Sequence, residues 1–479
     1  MMIRPGKRFP RMGFGQPLGL LGLVSILRQR FPDMFVVDLV EQALRDLSAG
    51  EVRARMAAFG PDLVCFSCLS VEANELRELA AISKEMFPDV PVWLGGPHST
   101  VFYDVELEAG HVDAACIGEG DHTFPEMIEA WLAGRPLDSV PGLALLRGGE
   151  VVLTAPRPPV ADLDTLPLPA WDLVDFDLYS RQHSLHAYVH STPWACFFTS
   201  RGCPYDCIYC HSIFGKKMRV RSVSHVMDEL ELLVREHGVR EIHIVDDSFN
   251  VDLPRAKAIC DEIVARGLDI KIAFPNGIRG DRMDRELVRK LRAAGCYAIT
   301  YAVETASPRM QKKIRKNLDL ARVEQSITWA REEGIIPQAF AMLGFPGETL
   351  EEIQQTIDYM LRTDLLQCVF ASVVVFPRTR ILEIAKQEYP GFALEEHDFS
   401  SYYYFAADTF YGRVTGVDLH AIQRRAYRAF YLRPSIILKL LVKLPKNRSL
   451  FMGMLYGVRA VLAQLGRRRR GAATRPCPR

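Results

Sequence analysis

Short apolar runs alternate with longer amphipathic ones in two separate stretches of this sequence, and a proline-rich stretch divides them. Continuous apolar strands between helices are what a parallel sheet with helices on its faces requires, since both faces of such strands are covered. In the first stretch the strand-like runs are Phe35–Leu39, Leu63–Ser67, Val92–Gly96 and Ala114–Gly118. Helical spacing falls over residues 41–58, 74–86 and 126–132. The pattern predicts a doubly wound sheet whose ligand end lies at the strands' carboxyl termini. Those ends carry Ser67, Ser70, Gly95, Gly96 and Gly118-Glu-Gly120. Met1–Pro5 is too short and polar for an ordinary central strand, which predicts a sheet lacking its first strand or a start that has been cut short.

Residues 133–192 break the rhythm with a short hairpin (Leu143–Leu146, Val151–Leu153) and a linker through Pro156-Arg-Pro-Pro159 and Leu163–Pro169. The alternation then restarts. Strands are predicted at Cys196–Ser200, Glu241–Val245, Ile270–Phe274, Tyr297–Val303, Gln338–Leu343 and Gln367–Phe376. Helices near 222–237, 254–267, 284–294, 320–333 and 349–363 separate them. Six such units predict a partial parallel (β/α)6 barrel, with its site on the strand ends and following loops. Beyond residue 385 the periodicity ends. The chain therefore divides into residues 1–135, a linker over 136–192, the barrel over 193–385, and a helical, basic region over 386–479.

The chain has 479 residues, 48% of them apolar, enough for more than one core, and its net charge of +1 gives no reason to expect a nucleic-acid partner. The eleven cysteines form no small-domain disulfide framework, which suits a reducing cytosol. The first ten residues hold no apolar signal-like core, and no apolar run reaches membrane-spanning length.

Three of the cysteines stand in Ser200-Arg-Gly-Cys-Pro-Tyr-Asp-Cys-Ile-Tyr-Cys-His211, directly after the barrel's first strand. Cys203, Cys207 and Cys210 have C-x3-C-x2-C spacing. Three thiolates can hold an iron–sulfur cube and leave one iron open to an exchangeable ligand. Structural zinc would want a second pair, and the other cysteines offer only Cys65-x-x-Cys68 inside an apolar run. Cys207–His211 also matches a haem attachment pattern, and plain buried thiols are the remaining reading.

Later strand ends carry further polar groups. Asp246 in Asp246-Asp-Ser-Phe-Asn250 could hold an ammonium group or serve a turn. Arg279 could pair with a carboxylate or lie on the surface. Glu304 ends the fourth strand. Gly344, in Met342-Leu-Gly-Phe-Pro-Gly-Glu-Thr349, permits close backbone approach to a ligand. Arg378 follows the sixth strand.

The cysteine motif followed by this alternation resembles the radical S-adenosylmethionine (SAM) superfamily. Four upstream pieces, Gln16-Pro-Leu-Gly19, Ser67, Gly95-Gly-Pro-His98 and Ile117-Gly-Glu-Gly120, resemble a Rossmann-like cobalamin-binding domain. The combination, over residues 15–385, is similar to the group that contains the anaerobic Mg-protoporphyrin monomethyl ester oxidative cyclase, hopanoid-associated proteins and cobalamin-dependent methyltransferases. The resemblance implies a [4Fe-4S] cluster on Cys203, Cys207 and Cys210. It implies SAM contacts at Tyr209, Asp246, Glu304 and Gly344, and cobalamin contacts at Ser67, Gly95, Gly96, His98, Gly118 and Gly120. The reaction implied is methyl transfer to an unactivated carbon through a 5′-deoxyadenosyl radical and methylcobalamin, with oxidative cyclisation or rearrangement as the alternative and a non-catalytic sensor as a reading of another class. The electron would come from a donor such as flavodoxin or ferredoxin. No D-x-H-x-x-G motif supplies a lower cobalt ligand, and His98 and His122 read better as turn residues.

The tail sets Arg424, Arg425, Arg428 and Arg433 around Tyr427, Phe430 and Tyr431, followed by Ile436–Leu444, Leu450–Leu465 and Arg467–Arg470. Basic amphipathic helices of this kind could rest on the inner face of a membrane, which would suit a lipid substrate, or pack over the barrel mouth.

Overall fold

A computed structural model describes residues 1–8, 13–182, 184, 189–210, 213–392, 399 and 409–443. The first unit runs β1 (Met2–Arg4), α1 (Leu18–Arg30), β2 (Leu39–Glu41), α2 (Gln42–Arg45), α3 (Ala49–Phe59), β3 (Val64–Ser67), α4 (Ala73–Met86), β4 (Val92–Gly95), α5 (Gly96–Glu108), β5 (Ala114–Cys116), α6 (Gly120–Leu132), β6 (Leu143–Arg147) and β7 (Glu150–Leu153). Its sheet has the order β2-β1-β3-β4-β5-β6-β7. The first five strands are parallel and the last two antiparallel.

Four expectations are corrected here. Met2–Arg4 is a central strand, paired with β2 on one side and β3 on the other. Ile3 is wholly buried, and the polar Arg4 is tolerated because its guanidinium donates to the Gly15 carbonyl at 2.6 Å and faces Glu72 at 3.6 Å. The hairpin placed in the linker instead extends this sheet, since β6 pairs with β5. The single helix expected over 41–58 is broken. Asp46 takes a left-handed φ of 57°, and Ser48 starts α3 in a capping box with Glu51. The strand expected at Phe35–Leu39 is displaced to β2.

The second unit is β8 (Trp194–Phe197), β9 (Ser200–Arg201), β10 (Arg219–Val220), α7 (Val223–Arg235), β11 (Glu241–Ile244), α8 (Leu253–Ala265), β12 (Lys271–Ile278), α9 (Arg285–Ala293), β13 (Cys296–Glu304), α10 (Pro308–Lys313), α11 (Leu320–Glu332), β14 (Ile336–Leu343), α12 (Leu350–Arg362), β15 (Gln367–Ser372) and α13 (Arg380–Glu388). Its six long strands are all parallel and in sequence order, β8-β11-β12-β13-β14-β15, the open half-barrel that the alternation predicts. Trp194, Phe197, Phe274, Tyr301 and Phe370 fill its core. Each such side chain taken out of water stabilises the fold by roughly 1.5–3 kcal/mol.

An open parallel sheet leaves two edges of unpaired backbone groups, and each is covered by side chains. On the β8 edge, Gln16 accepts from the Cys196 N–H at 2.8 Å and donates to the Trp194 carbonyl at 3.1 Å. On the β15 edge, α14 (Phe410–Thr415) is followed by α15 (Leu419–Tyr431) and α16 (Pro434–Lys443). Gln423, Tyr427 and Tyr431, each four residues apart, present one face of α15 to that edge. The Cys368 and Phe370 N–H groups donate to the hydroxyls of Tyr431 and Tyr427 at 3.0 and 3.1 Å. Gln423 donates to the Phe370 carbonyl.

The aromatic face of α15 thus closes the barrel edge, which is the packed one of the two readings for this helix. Among the described residues no helix is long and apolar enough to cross a membrane. Leu450–Leu465 and Arg467–Arg470 lie outside the described residues, as do most of residues 397–408. Tyr431→Phe removes the acceptor of a strand N–H, so it should cost about 1–3 kcal/mol in urea denaturation. An exposed control, Arg424→Gln, should change little.

Candidate active site

The cysteine loop leaves β8, passes through β9 and returns through β10, which pairs antiparallel with β9 by Arg219↔Arg201. Gly202 has φ +86°, and a Cβ there would lie 2.4 Å from the Lys217 carbonyl, so only glycine lets the two arms of the loop close. The Cys203 N–H donates to Gly215 at 3.2 Å. The far side is held by the barrel. Arg279 lies 3.9 Å over the Tyr205 ring, the Ile208 N–H donates to Ile314, and the Ile381 N–H donates to the Ile208 carbonyl.

Cys203 and Cys207 are partly exposed and Cys210 is exposed, whereas the other described cysteines are buried. Desolvation first, then the neighbouring thiols of Cys207 and Cys203, push the Cys210 thiol up to about 11. Three thiols on one accessible loop, close enough to act on one another, are a donor set that fits an iron–sulfur cluster. Among the described residues no group of three or more potential ligands already stands at metal-holding distance. His211, on which the haem pattern depends, lies outside the described residues.

The candidate SAM residues meet different surroundings. Asp246 is buried, and its Oδ1 accepts from the Thr199 N–H at 2.6 Å while Oδ2 accepts from the hydroxyls of Thr199 and Ser200. Burial raises its pKa, and these donors oppose the rise. This geometry makes Asp246 a brace for the start of the cysteine loop rather than an open ligand for an ammonium group, which corrects the expectation. Asp247 is the exposed one of the pair, and its Oδ2 accepts from the Gly202 N–H at 3.2 Å.

Gly344 has a structural use. Its φ is +88° and a Cβ would meet that of Tyr411 on α14 at 2.6 Å, so the glycine admits the C-terminal helix. Arg279 is paired with Asp281 at 2.8 and 3.0 Å, which accounts for its charge internally.

Glu304 and Tyr209 are brought together by a residue the sequence did not single out. Lys316 Nζ donates to Glu304 Oε1 at 3.0 Å and to the Tyr209 hydroxyl at 3.2 Å. Glu304 sits at the end of β13 with φ +66°, beside a register shift against β14. A left-handed glutamate costs on the order of 1–3 kcal/mol and persists because the surroundings hold it there. Gln311 does so by donating to the carbonyls of Val303 and Thr305 on either side.

Glu348 is buried and accepts from the N–H groups of Gly344 and Phe345 at 2.7 and 3.0 Å. Burial pushes its carboxyl up to about 7, opposed by those two N–H groups. The folded chain therefore holds a proton that the unfolded chain releases between pH 4.5 and 7, and stability falls as pH rises through that window. The loss is on the order of 3 kcal/mol. Melting curves of Glu348→Gln should decline less than those of the parent between pH 5 and 8.

On the N-terminal side, Gly96 has φ +90°, and its Cβ would sit 2.7 Å from the Ser67 hydroxyl, so Gly96 lets the end of β4 turn tightly past β3. Gly118 has φ +78° with nothing within 4 Å of a Cβ, and Gly120 opens α6. This open, glycine-bounded turn fits backbone approach to a large cofactor. His98 does not fit a cobalt ligand or an open contact. It is fully buried on α5, with Nδ1 3.1 Å from Ser70 and Nε2 3.1 Å from Glu106, and it stacks on Phe102.

Contacts between the units orient these turns toward the barrel. Arg378, with φ +56°, pairs with Asp104 on α5, so it ties the barrel to the first sheet. The turn after β5 reaches the cysteine loop, where Arg201 donates to Asp121 at 2.8 and 3.2 Å and Arg219 donates to Glu119 at 2.8 Å. Neither pairing is legible in the sequence, because Arg201 and Arg219 lie 80 and 100 positions from their partners.

Comparisons with known proteins agree with this geometry. A family model for the radical SAM superfamily matches residues 197–360, and one for the B12 binding domain matches residues 11–128. The chain is 30% identical over 428 residues to an uncharacterized methyltransferase, PH0819, of Pyrococcus horikoshii, across 89% of this chain and 90% of that protein. It is 30% identical to the cytidylyl-2-hydroxyethylphosphonate methyltransferase of Streptomyces wedmorensis across 72% of each. Among solved structures, the radical SAM methyltransferase TsrM of Kitasatospora setae aligns with a TM-score of 0.67 at 22% identity, over 81% of this chain and 75% of that one, and so shares the fold.

Proposed function

Because this chain belongs to the radical SAM enzymes that carry a B12-binding domain, we propose that it transfers a methyl group to an unactivated carbon of a small molecule. The enzyme class brings a [4Fe-4S] cluster, SAM and cobalamin. When bound, these supply the electron, the hydrogen-abstracting radical and the methyl carrier. The chain's own residues hold and orient them. Cys203, Cys207 and Cys210 are the cluster ligands. Glu304, fixed by Lys316 and Gln311, offers its second oxygen to ribose hydroxyls, and Tyr209 closes that wall. The Gly118–Gly120 turn and the Ser67–Gly96 strand ends form the cobalamin side.

One observation carries the reading. The only accessible thiols among the described residues stand on a loop gripped by the glycine-bounded turn of the cobalamin-type sheet. The two halves of a methyl-transfer site therefore face each other. A low-potential donor of the flavodoxin or ferredoxin type reduces the cluster, which passes that electron on.

The test is anaerobic turnover with SAM and reductant. Formation of 5′-deoxyadenosine and S-adenosylhomocysteine together, with a product heavier by one methylene, is the expected result. A product without added methylene and no S-adenosylhomocysteine would overturn methyl transfer.

A further inference from the structure

Arg201 opens the cysteine loop and Arg219 closes it, and the two are direct partners across β9 and β10. Each is held by a carboxylate of the other unit. Asp121 takes both terminal nitrogens of Arg201, and Glu119 takes both of Arg219. Arg219, Glu119 and Asp121 have little solvent around them, and Arg201 also lies within 3.7 Å of Glu119. Arg219 donates further to the carbonyls of Val160 and Phe214. Bidentate guanidinium–carboxylate pairs fix orientation as well as distance. The base of the loop over residues 202–218 is thus set by two carboxylates from one turn. The same turn contains Gly118, where a Cβ would meet nothing within 4 Å. A ligand that shifts Gly118 must shift the next three residues, and with them both arginines.

We propose that Glu119 and Asp121 are positioning residues that join the cysteine loop and the β5–α6 turn into one mechanical unit, so that cobalamin at the turn and the cluster on the loop tighten each other's binding. The inference rests on the assignment of that turn to cobalamin. Coupling between two bound groups is reciprocal, so either affinity reports it.

The experiment is a visible-absorbance titration of the full-length protein with cobalamin, with and without reconstituted cluster. The cluster should tighten cobalamin by at least about fivefold. Glu119→Gln combined with Asp121→Asn should bring the two affinities to within about twofold of each other. Electron paramagnetic resonance of the reduced cluster should shift on cobalamin addition in the parent and not in this variant. Breaking buried pairs can prevent folding, so Arg201→Lys, which keeps the charge and loses the fork, is the second variant, and its ratio should fall between the other two. An unchanged ratio in Arg201→Lys, or a parent whose cobalamin affinity ignores the cluster, would overturn the coupling and leave the cobalamin assignment standing. A parent that binds no cobalamin at all would overturn that assignment and the coupling with it.

Discussion

Alanine at Cys203, Cys207 or Cys210 should abolish the cluster's visible absorbance and reduce 5′-deoxyadenosine formation by more than about a hundredfold. Loss of groups that merely support a metal ligand already costs about 10–100-fold, and a three-thiolate site has no spare ligand. The same change at Cys65 or Cys116 should leave both readouts near the parent's. Those thiols are buried in the core of the first sheet, whereas the three loop cysteines are accessible. Cys207 is partly exposed and Cys210 exposed, so their replacement removes little packing, and melting curves of these cluster-free proteins should stay close to the parent's. Loss of iron with the fold intact separates a ligand role from a structural one. Retention of cluster absorbance in any of the three variants would remove that cysteine from the ligand set.

Local pattern reached the sheets and the cysteine loop because apolar runs, helix spacing and cysteine spacing are all short-range properties. It failed where a side chain's partner is distant. Asp246 stands at a strand end, as a ligand residue would, but Thr199, 47 positions earlier, takes its carboxylate. Gln16 lies in a segment that resembles a cofactor piece, yet it bonds β8 from 180 positions away. Asp121 reaches Arg201 across 80 positions. The glycines show the same limit. A glycine announces close approach without saying what approaches. At Gly96 it is Ser67, at Gly344 it is Tyr411, and at Gly118 the space is open. The polarity of Met1–Pro5 argues against a central strand, and only the fold shows that the Gly15 carbonyl and Glu72 satisfy Arg4.

Lys316→Met should be the most destabilising single substitution near the site. Lys316 and Glu304 are both buried and 3.0 Å apart. Removing the ammonium leaves a buried carboxylate without a cation, which costs about 3–5 kcal/mol. Urea denaturation of the cluster-free protein measures it. The double variant Lys316→Met with Glu304→Gln removes both charges and should recover most of that loss, giving a coupling well above that of exposed ion pairs. SAM affinity then separates two roles for the glutamate. A carboxylate accepting ribose hydroxyls contributes about 1.5–3 kcal/mol, so Glu304→Gln should weaken SAM binding by roughly ten- to a hundredfold. In the double variant stability should return while SAM affinity stays low. Return of both together would reduce Glu304 to a partner of Lys316, its left-handed backbone would then have no ligand to explain it, and Tyr209 would be left as the residue of that wall facing the substrate.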